Sequence, residues 1–223
     1  MHILDKIKQR THQPPVYTTG EEIFNSVTHG VGAVFGALGA AYMIVFTSLH
    51  CDAWSIVSAS IYGAALIMLY TMSTLYHALT NQTAKKVFRV FDHSTIFLLI
   101  AGTYTPYALV TLRGAIGWIV FGLVWGSAVI GITLNAISVE RFKKISLILY
   151  IASGWAAIIA MKPIIDNLGT GGLLLMLLGG VFYTGGIVFY KMKRIKYFHS
   201  IWHLFVLAGS VAHYFSILFY VYQ

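Results

Sequence analysis

The chain has 223 residues, of which 58% are hydrophobic and 10% are charged, whereas a soluble domain carries about 25% charged residues. A soluble globule would leave about a third of its chain surface in water, so it would not hide this much apolar surface. The single cysteine, Cys51, excludes a disulfide within the chain.

Seven apolar stretches are long enough to cross a membrane, because a spanning helix needs about 20 such residues. The predicted spans are 27–49, 54–79, 91–112, 115–137, 145–163, 171–190 and 199–221. Their short connections leave no room for a separate soluble domain. We therefore predict an all-α integral membrane protein with a cytoplasmic tail at 1–18 and a single domain of seven transmembrane helices at 19–223.

Three local signals refine this outline. Thr19 and Glu22 have capping-box spacing, so a helix is expected to begin there and run into the first span. Pro106 lies inside the third span and predicts a kink, which membrane helices tolerate when neighbours satisfy the freed carbonyl. Pro163 fits the end of the fifth span.

The basic residues predict the orientation. They cluster at Lys6, Lys8 and Arg10; at Lys85, Lys86 and Arg89; at Arg141, Lys143 and Lys144; and at Lys191, Lys193, Arg194 and Lys196. With seven spans, all of these fall on one side and only Arg113 and Lys162 fall on the other. The positive-inside rule then predicts a cytoplasmic N-terminus and an extracellular C-terminus. It also explains the net charge of +8 without a nucleic-acid partner.

Five polar residues lie at one predicted depth, near the cytoplasmic ends of three spans. They are Ser73 and His77 in the second span, Asp92 at the start of the third, and His199 and His203 at the start of the seventh. Ionisable groups inside spans are costly and usually serve a site. Three separate helices are thus predicted to bring such groups together.

The spacing within these helices indicates a metal. His199 and His203 are four residues apart and share a helix face, as do Ser73 and His77. Three histidines and one water form the catalytic zinc pattern, in which the pKa of the water falls to about 7. Asp92 then binds that water, orients it or accepts its proton. The alternative is that the histidines only form hydrogen bonds at the membrane interface and that Ser73 bonds its own helix.

Three further histidines fit this pattern less well. His29 begins the first span, and His93 follows Asp92. His213 lies ten residues after His203, about 15 Å deeper in a helix, and is interpreted as a packing or cavity residue.

The same residues resemble the hemolysin III family, the bacterial branch of the progestin and adipoQ receptor superfamily, over nearly the whole chain. The matching pieces are Glu22-x-x-Asn25-x-x-x-His29-Gly30, Ser73-x-x-x-His77, Phe91-Asp92-His93-Ser94, Gly102-Thr103-Tyr104-Thr105-Pro106 and His199-x-x-x-His203.

That resemblance implies seven helices with the N-terminus inside, a zinc ion held by His77, His199 and His203, and Asp92 contacting it through water. It also implies relatives that include adiponectin receptors and alkaline ceramidases, and hence hydrolysis of membrane lipids in the bacterial plasma membrane. The expected partners are membrane lipids and a second copy in a homo-oligomer. The competing hypotheses are a sensor with structural zinc and a pore-forming cytolysin.

Overall fold

The computed structural model describes residues 17–192 and 195–223, and every regular element in these two ranges is helical. The basic residues Lys6, Lys8, Arg10, Lys193 and Arg194 lie outside the described residues. The α-helices are α1 (Thr19–His50), α2 (Ala53–Ala78), α3 (Gln82–Pro106), α4 (Gly114–Gly154), α5 (Met161–Lys191) and α6 (Phe198–Tyr220).

Within these ranges, five continuous helical stretches are long and apolar enough to cross a membrane, and the longest is Gly114–Lys191. Its regular α-helical geometry is broken three times. Ser138 has φ −171° and ψ 109°, a 3₁₀ turn occupies Ala156–Ala160, and Gly169 has φ 72°. A 78-residue stretch would be far longer than one membrane crossing requires.

Two helices begin earlier than the hydrophobicity alone predicts. The N-cap of α1 is Thr18, whose capping-box partner is Glu21, so the predicted Thr19–Glu22 pairing is wrong by one residue. The side chain of Asn81 accepts hydrogen bonds from the first backbone N–H groups of α3. The basic cluster at 85–89, which was predicted to lie in a loop, therefore lies in a helix.

The predicted irregularity at Pro106 is confirmed. The α-helical part of α3 ends at this residue, and a π-helical segment, Tyr107–Leu112, continues it. Pro163, which was predicted to end the fifth span, instead lies in the first turn of α5. Proline is well tolerated there because the first N–H groups of a helix have no intrahelical partner.

Successive helices from α1 to α4 pack side by side, α5 packs on α6, and α6 returns to α1. The outer surface of this bundle is apolar: Phe35, Leu49 and Ile148 are 68%, 72% and 65% exposed. An apolar exterior of this extent suits a lipid solvent and not water. The chain is therefore a multi-pass membrane protein.

Candidate metal centre

Three histidines from two helices meet at one end of the bundle. His77 lies in the last turn of α2, and His199 and His203 lie in the first two turns of α6. One ring nitrogen from each lies within 4.8 Å of the others. The Nε2 atoms of His199 and His203 are 3.2 Å apart. The predicted clustering of these three residues is confirmed.

The ring of His77 is held by a carboxylate on α1. Its Nδ1 atom donates to Oε2 of Glu22 at 2.6 Å, while Nζ of Lys85 donates to Oε1 of the same carboxylate at 2.5 Å. A hydrogen on Nδ1 leaves the lone pair of the ring on Nε2, which is buried without a hydrogen-bond partner. This carboxylate–histidine arrangement orients an imidazole for metal binding.

The three imidazoles fit a zinc ion. Zinc–nitrogen distances of about 2.0–2.1 Å in a tetrahedron place two ligand nitrogens about 3.3 Å apart. The pair on α6 already has this separation at 3.2 Å. The ligand nitrogen of His77 lies within 4.8 Å of those of His199 and His203. It therefore has to move by at most about 1.5 Å to reach the spacing of two ligands in a zinc tetrahedron.

Helix α1 positions the histidine-bearing turn of α6. The carboxylate of Glu21 accepts a hydrogen bond from the backbone N–H of Tyr197 at 2.9 Å. One turn later, the hydroxyl of Ser200 donates to the side-chain oxygen of Asn25 at 2.6 Å. Tyr197 has φ 63°, a left-handed conformation in which the chain turns into α6. Both contacts hold α6 against α1 at the level of the three histidines.

Two aromatic rings enclose the cluster. Tyr17, just before α1, stacks on His199 with ring centroids 4.9 Å apart, and its ring lies 5.7 Å from that of His77. Burial raises the pKa of the Tyr17 phenol, so it stays a neutral hydrogen-bonding group. On another side, His29 stacks on His203 with centroids 3.7 Å apart.

A cavity adjoins the cluster, and together with the space that opens from it to the solvent it spans about 1010 Å³. Its polar lining includes Ser73, Asp92, His199 and His203 together with His29. The remaining wall is mostly apolar and comes from α3, the second half of α4, α5 and α6. A mostly apolar wall with a few polar groups at one end suits an apolar ligand that carries a polar group.

Comparison with known proteins agrees with this architecture. The family described as "Haemolysin-III related" matches residues 17–214. The chain belongs to the haemolysin III family. It is 43% identical to "Hemolysin-3" of Bacillus cereus over 201 residues, which cover 90% of this chain and 92% of that protein.

Two other relatives cover similar lengths. The "Hemolysin-3 homolog" of Bacillus subtilis (strain 168) is 42% identical over 205 residues, covering 92% of this haemolysin III family member and 96% of that protein. The "Monocyte to macrophage differentiation factor" of Homo sapiens is 29% identical over 218 residues, covering 95% of this chain and 88% of that protein.

Part of the site in this haemolysin III family member is not predicted from the sequence. The spacing predicts Glu22 as a capping residue, and it does not place His29 in the site. Both lie on one stripe of α1 with Glu21 and Asn25. A signal was present, because polar residues at positions 22, 25 and 29 of an apolar helix recur at helical spacing. His213, by contrast, is not part of the cluster, while the roles of Ser73 and Asp92 stay predictions.

Proposed function

We propose that this protein is a zinc-dependent hydrolase of membrane lipids that cleaves an amide or ester bond. One observation carries the proposal: three imidazoles, one of them oriented by a carboxylate, stand beside a largely apolar cavity. Membership of the haemolysin III family supports a membrane role but does not specify a reaction.

His77, His199 and His203 would hold the metal. Bound there, zinc would supply Lewis acidity and an activated water. In the reaction, the water oxygen adds to the acyl carbon and the bond to nitrogen or oxygen breaks. The proton lost by the water passes to the departing amine or alcohol, and a fatty acid remains.

Two cavity residues have distinct proposed roles. Ser73 lies one turn before His77, and its hydroxyl is buried without a hydrogen-bond partner, so it is available to donate to the oxygen of the acyl group. Asp92 lines the same cavity and is proposed to carry the proton from the water to the leaving group. A carboxylate suits that task because it can accept and then return a proton.

The proposed topology has seven spans, with the N-terminus in the cytoplasm and the C-terminus outside. The breaks at Ser138 and Gly169 support dividing the stretch 114–191 into three crossings. The charge distribution supports the orientation, since only Arg113 and Lys162 among the 15 basic residues fall on the outer side. The histidines would then face the cytoplasmic half of the membrane.

A reporter experiment tests this topology. Fused after Gln223, alkaline phosphatase is expected to be active, because it requires an oxidising compartment. Inserted in the 191–196 connection, it is expected to be inactive, whereas a cytoplasmic reporter there is active. The opposite pattern would overturn both the orientation and the cytoplasmic location of the site.

A lipid assay tests the reaction. The purified protein, with one zinc per chain, is incubated with a panel of N-acyl and O-acyl lipids, and released fatty acid is measured. Release that disappears on chelation and returns with zinc supports the hydrolase. Full zinc content with no release from any lipid would refute it and favour the non-enzymatic sensor.

The name of the relative from Bacillus cereus, "Hemolysin-3", is the reason for one further experiment, which tests for pore formation. Purified protein added to dye-loaded vesicles is expected to cause no release on the timescale of hydrolysis, because its apolar exterior suits permanent insertion. Rapid leakage that does not depend on zinc would favour the pore-forming alternative.

A further inference from the structure

His29 is a buried polar side chain beside the metal centre, and the proposed reaction assigns it no task. It lies on α1 one turn after Asn25 and is 4% exposed. Its ring is held between two aromatic groups: it stacks on His203 at 3.7 Å, and it meets Tyr70 edge to face at 5.0 Å. Among the described residues, neither of its ring nitrogens has a hydrogen-bond partner of ordinary geometry.

Such a side chain is unfavourable in the protein alone. A buried polar group without a partner loses its hydrogen bonds to water and gains none in return, so native structures rarely contain one without a reason. Phenylalanine would fill the same space between the two rings without this penalty. The imidazole at this position therefore requires a partner that is not part of the described chain.

Stacking argues against the metal as that partner. An imidazole binds a metal in the plane of its own ring, through a nitrogen lone pair. The rings of His29 and His203 are inclined by only 15° and lie 3.7 Å apart. An ion in the plane of His203 consequently lies outside the plane of His29. The cluster of ligand atoms within 4.8 Å accordingly contains the other three histidines and not His29.

The occupant of the cavity is a candidate for that partner. His29 lines this cavity together with Ser73, Asp92 and the two histidines of α6. A neutral imidazole offers one donor and one acceptor, which suits an amide or ester group and its neighbouring hydroxyl. A hydrocarbon chain packs against the apolar wall and cannot form such hydrogen bonds.

We propose that His29 is a substrate-binding residue, which hydrogen-bonds the polar group of an acyl lipid and thereby sets its acyl carbon beside the three-histidine cluster. This inference rests on the proposed lipid-binding function of the cavity. In this proposal His29 recognises the polar group of the lipid, and it neither binds the metal nor stabilises the fold.

The test compares two ligands that differ only in their polar end. Binding of radiolabelled N-palmitoylethanolamine and of radiolabelled hexadecane is measured on zinc-loaded, detergent-solubilised protein. His29→Phe is expected to weaken binding of the amide about tenfold, the effect of one buried hydrogen bond, and to leave hexadecane binding unchanged. Zinc content should stay at the wild-type value, and Tm should stay equal or rise because an unpaired polar group is removed.

Two conservative variants provide rescue. The amide of His29→Asn approximates the position of Nδ1, and that of His29→Gln approximates Nε2, so one of them is expected to recover most of the affinity lost in His29→Phe. His213→Phe is the matched control, since His213 is also buried but lies beside Tyr107 on an adjoining cavity. It should leave amide affinity unchanged.

The outcomes separate this inference from the proposed reaction. Equal loss of amide and hexadecane binding in His29→Phe would show that the ring only shapes the cavity and would overturn the inference. Loss of zinc from His29→Phe, or a lower Tm with a proportional loss of binding, would also overturn it. The same holds if the wild-type protein binds the amide no more tightly than hexadecane. If the wild type hydrolyses no lipid but His29 still determines amide binding, the reaction fails and the inference stands. If the wild type hydrolyses a lipid and His29→Phe does so with unchanged kcat/KM, the proposed reaction stands and the inference about His29 fails.

Discussion

Replacing Glu22 by Gln tests whether the carboxylate on α1 prepares His77 for a metal. The substitution preserves size but replaces a charged acceptor, 2.6 Å from Nδ1 of His77, with a neutral one. Loss of such an outer contact typically lowers metal affinity 10–100-fold, which corresponds to about 1.4–2.7 kcal/mol. We expect a reduction of this size in zinc affinity, with the three imidazoles still present.

A second effect has to be separated from the first. Lys85 bonds the same carboxylate at 2.5 Å, and its side chain is 9% exposed. Removing the partner leaves a nearly buried ammonium, which is destabilising. Glu22→Gln should therefore also lower Tm. Combining it with Lys85→Met removes the stranded charge, so the double variant should regain much of the Tm while zinc affinity stays low.

Zinc affinity is measured by competition with a chelator of known affinity, and Tm is measured on the same samples. Glu21→Gln is the matched control, because its carboxylate contacts Thr18 and the backbone of Tyr197 but not a histidine. It is expected to lower Tm and to reduce zinc affinity less than Glu22→Gln does, because it affects the ligands only through the position of α6. Wild-type affinity in Glu22→Gln, or equal losses in both single variants, would refute the orienting role.

Three further outcomes are expected. His199→Ala or His203→Ala should remove most bound zinc, whereas His213→Ala should retain it; equal zinc content in all three, measured by elemental analysis, would mean that the ligands are misassigned. Asp92→Asn should keep much of the zinc yet abolish fatty-acid release, since an amide cannot accept the proton from water; activity that tracks protein level would contradict this. Asp52 caps α2, and a hydrogen bond from a backbone N–H in the first turn of α2 holds the pKa of its carboxylate below the ordinary value of 3.8. Its stabilisation is therefore fully present above the ordinary pKa and is lost as the pH falls through the folded-state pKa. The Tm difference between wild type and Asp52→Ala should therefore be full at pH 7 and should shrink as the pH falls through the folded-state pKa.

The helix ends show where sequence reasoning was incomplete. Hydropathy places a span where residues are apolar, but a helix continues as long as its backbone groups are paired. The predicted start of α1 at Thr19 is confirmed, although its cap is Thr18. The cap at Asn81, by contrast, extends α3 into a basic segment that the sequence does not predict as helical. Arg89 is buried there and pairs with Glu140 of α4, a contact between residues 51 positions apart that no local pattern indicates.

The sequence by itself determined the class of protein, its apolar helices and the three histidines, because each of these depends on composition or on spacing within one helix. The contacts that the polar stripe of α1 makes in the site were decided only by the tertiary structure. Glu22 reaches His77 over 55 positions, and Asn25 reaches Ser200 over 175. A polar residue on an apolar helix shows that a partner is required, because burial without one is costly. Which partner it meets depends on how the helices pack, and that follows from contacts summed over the whole bundle.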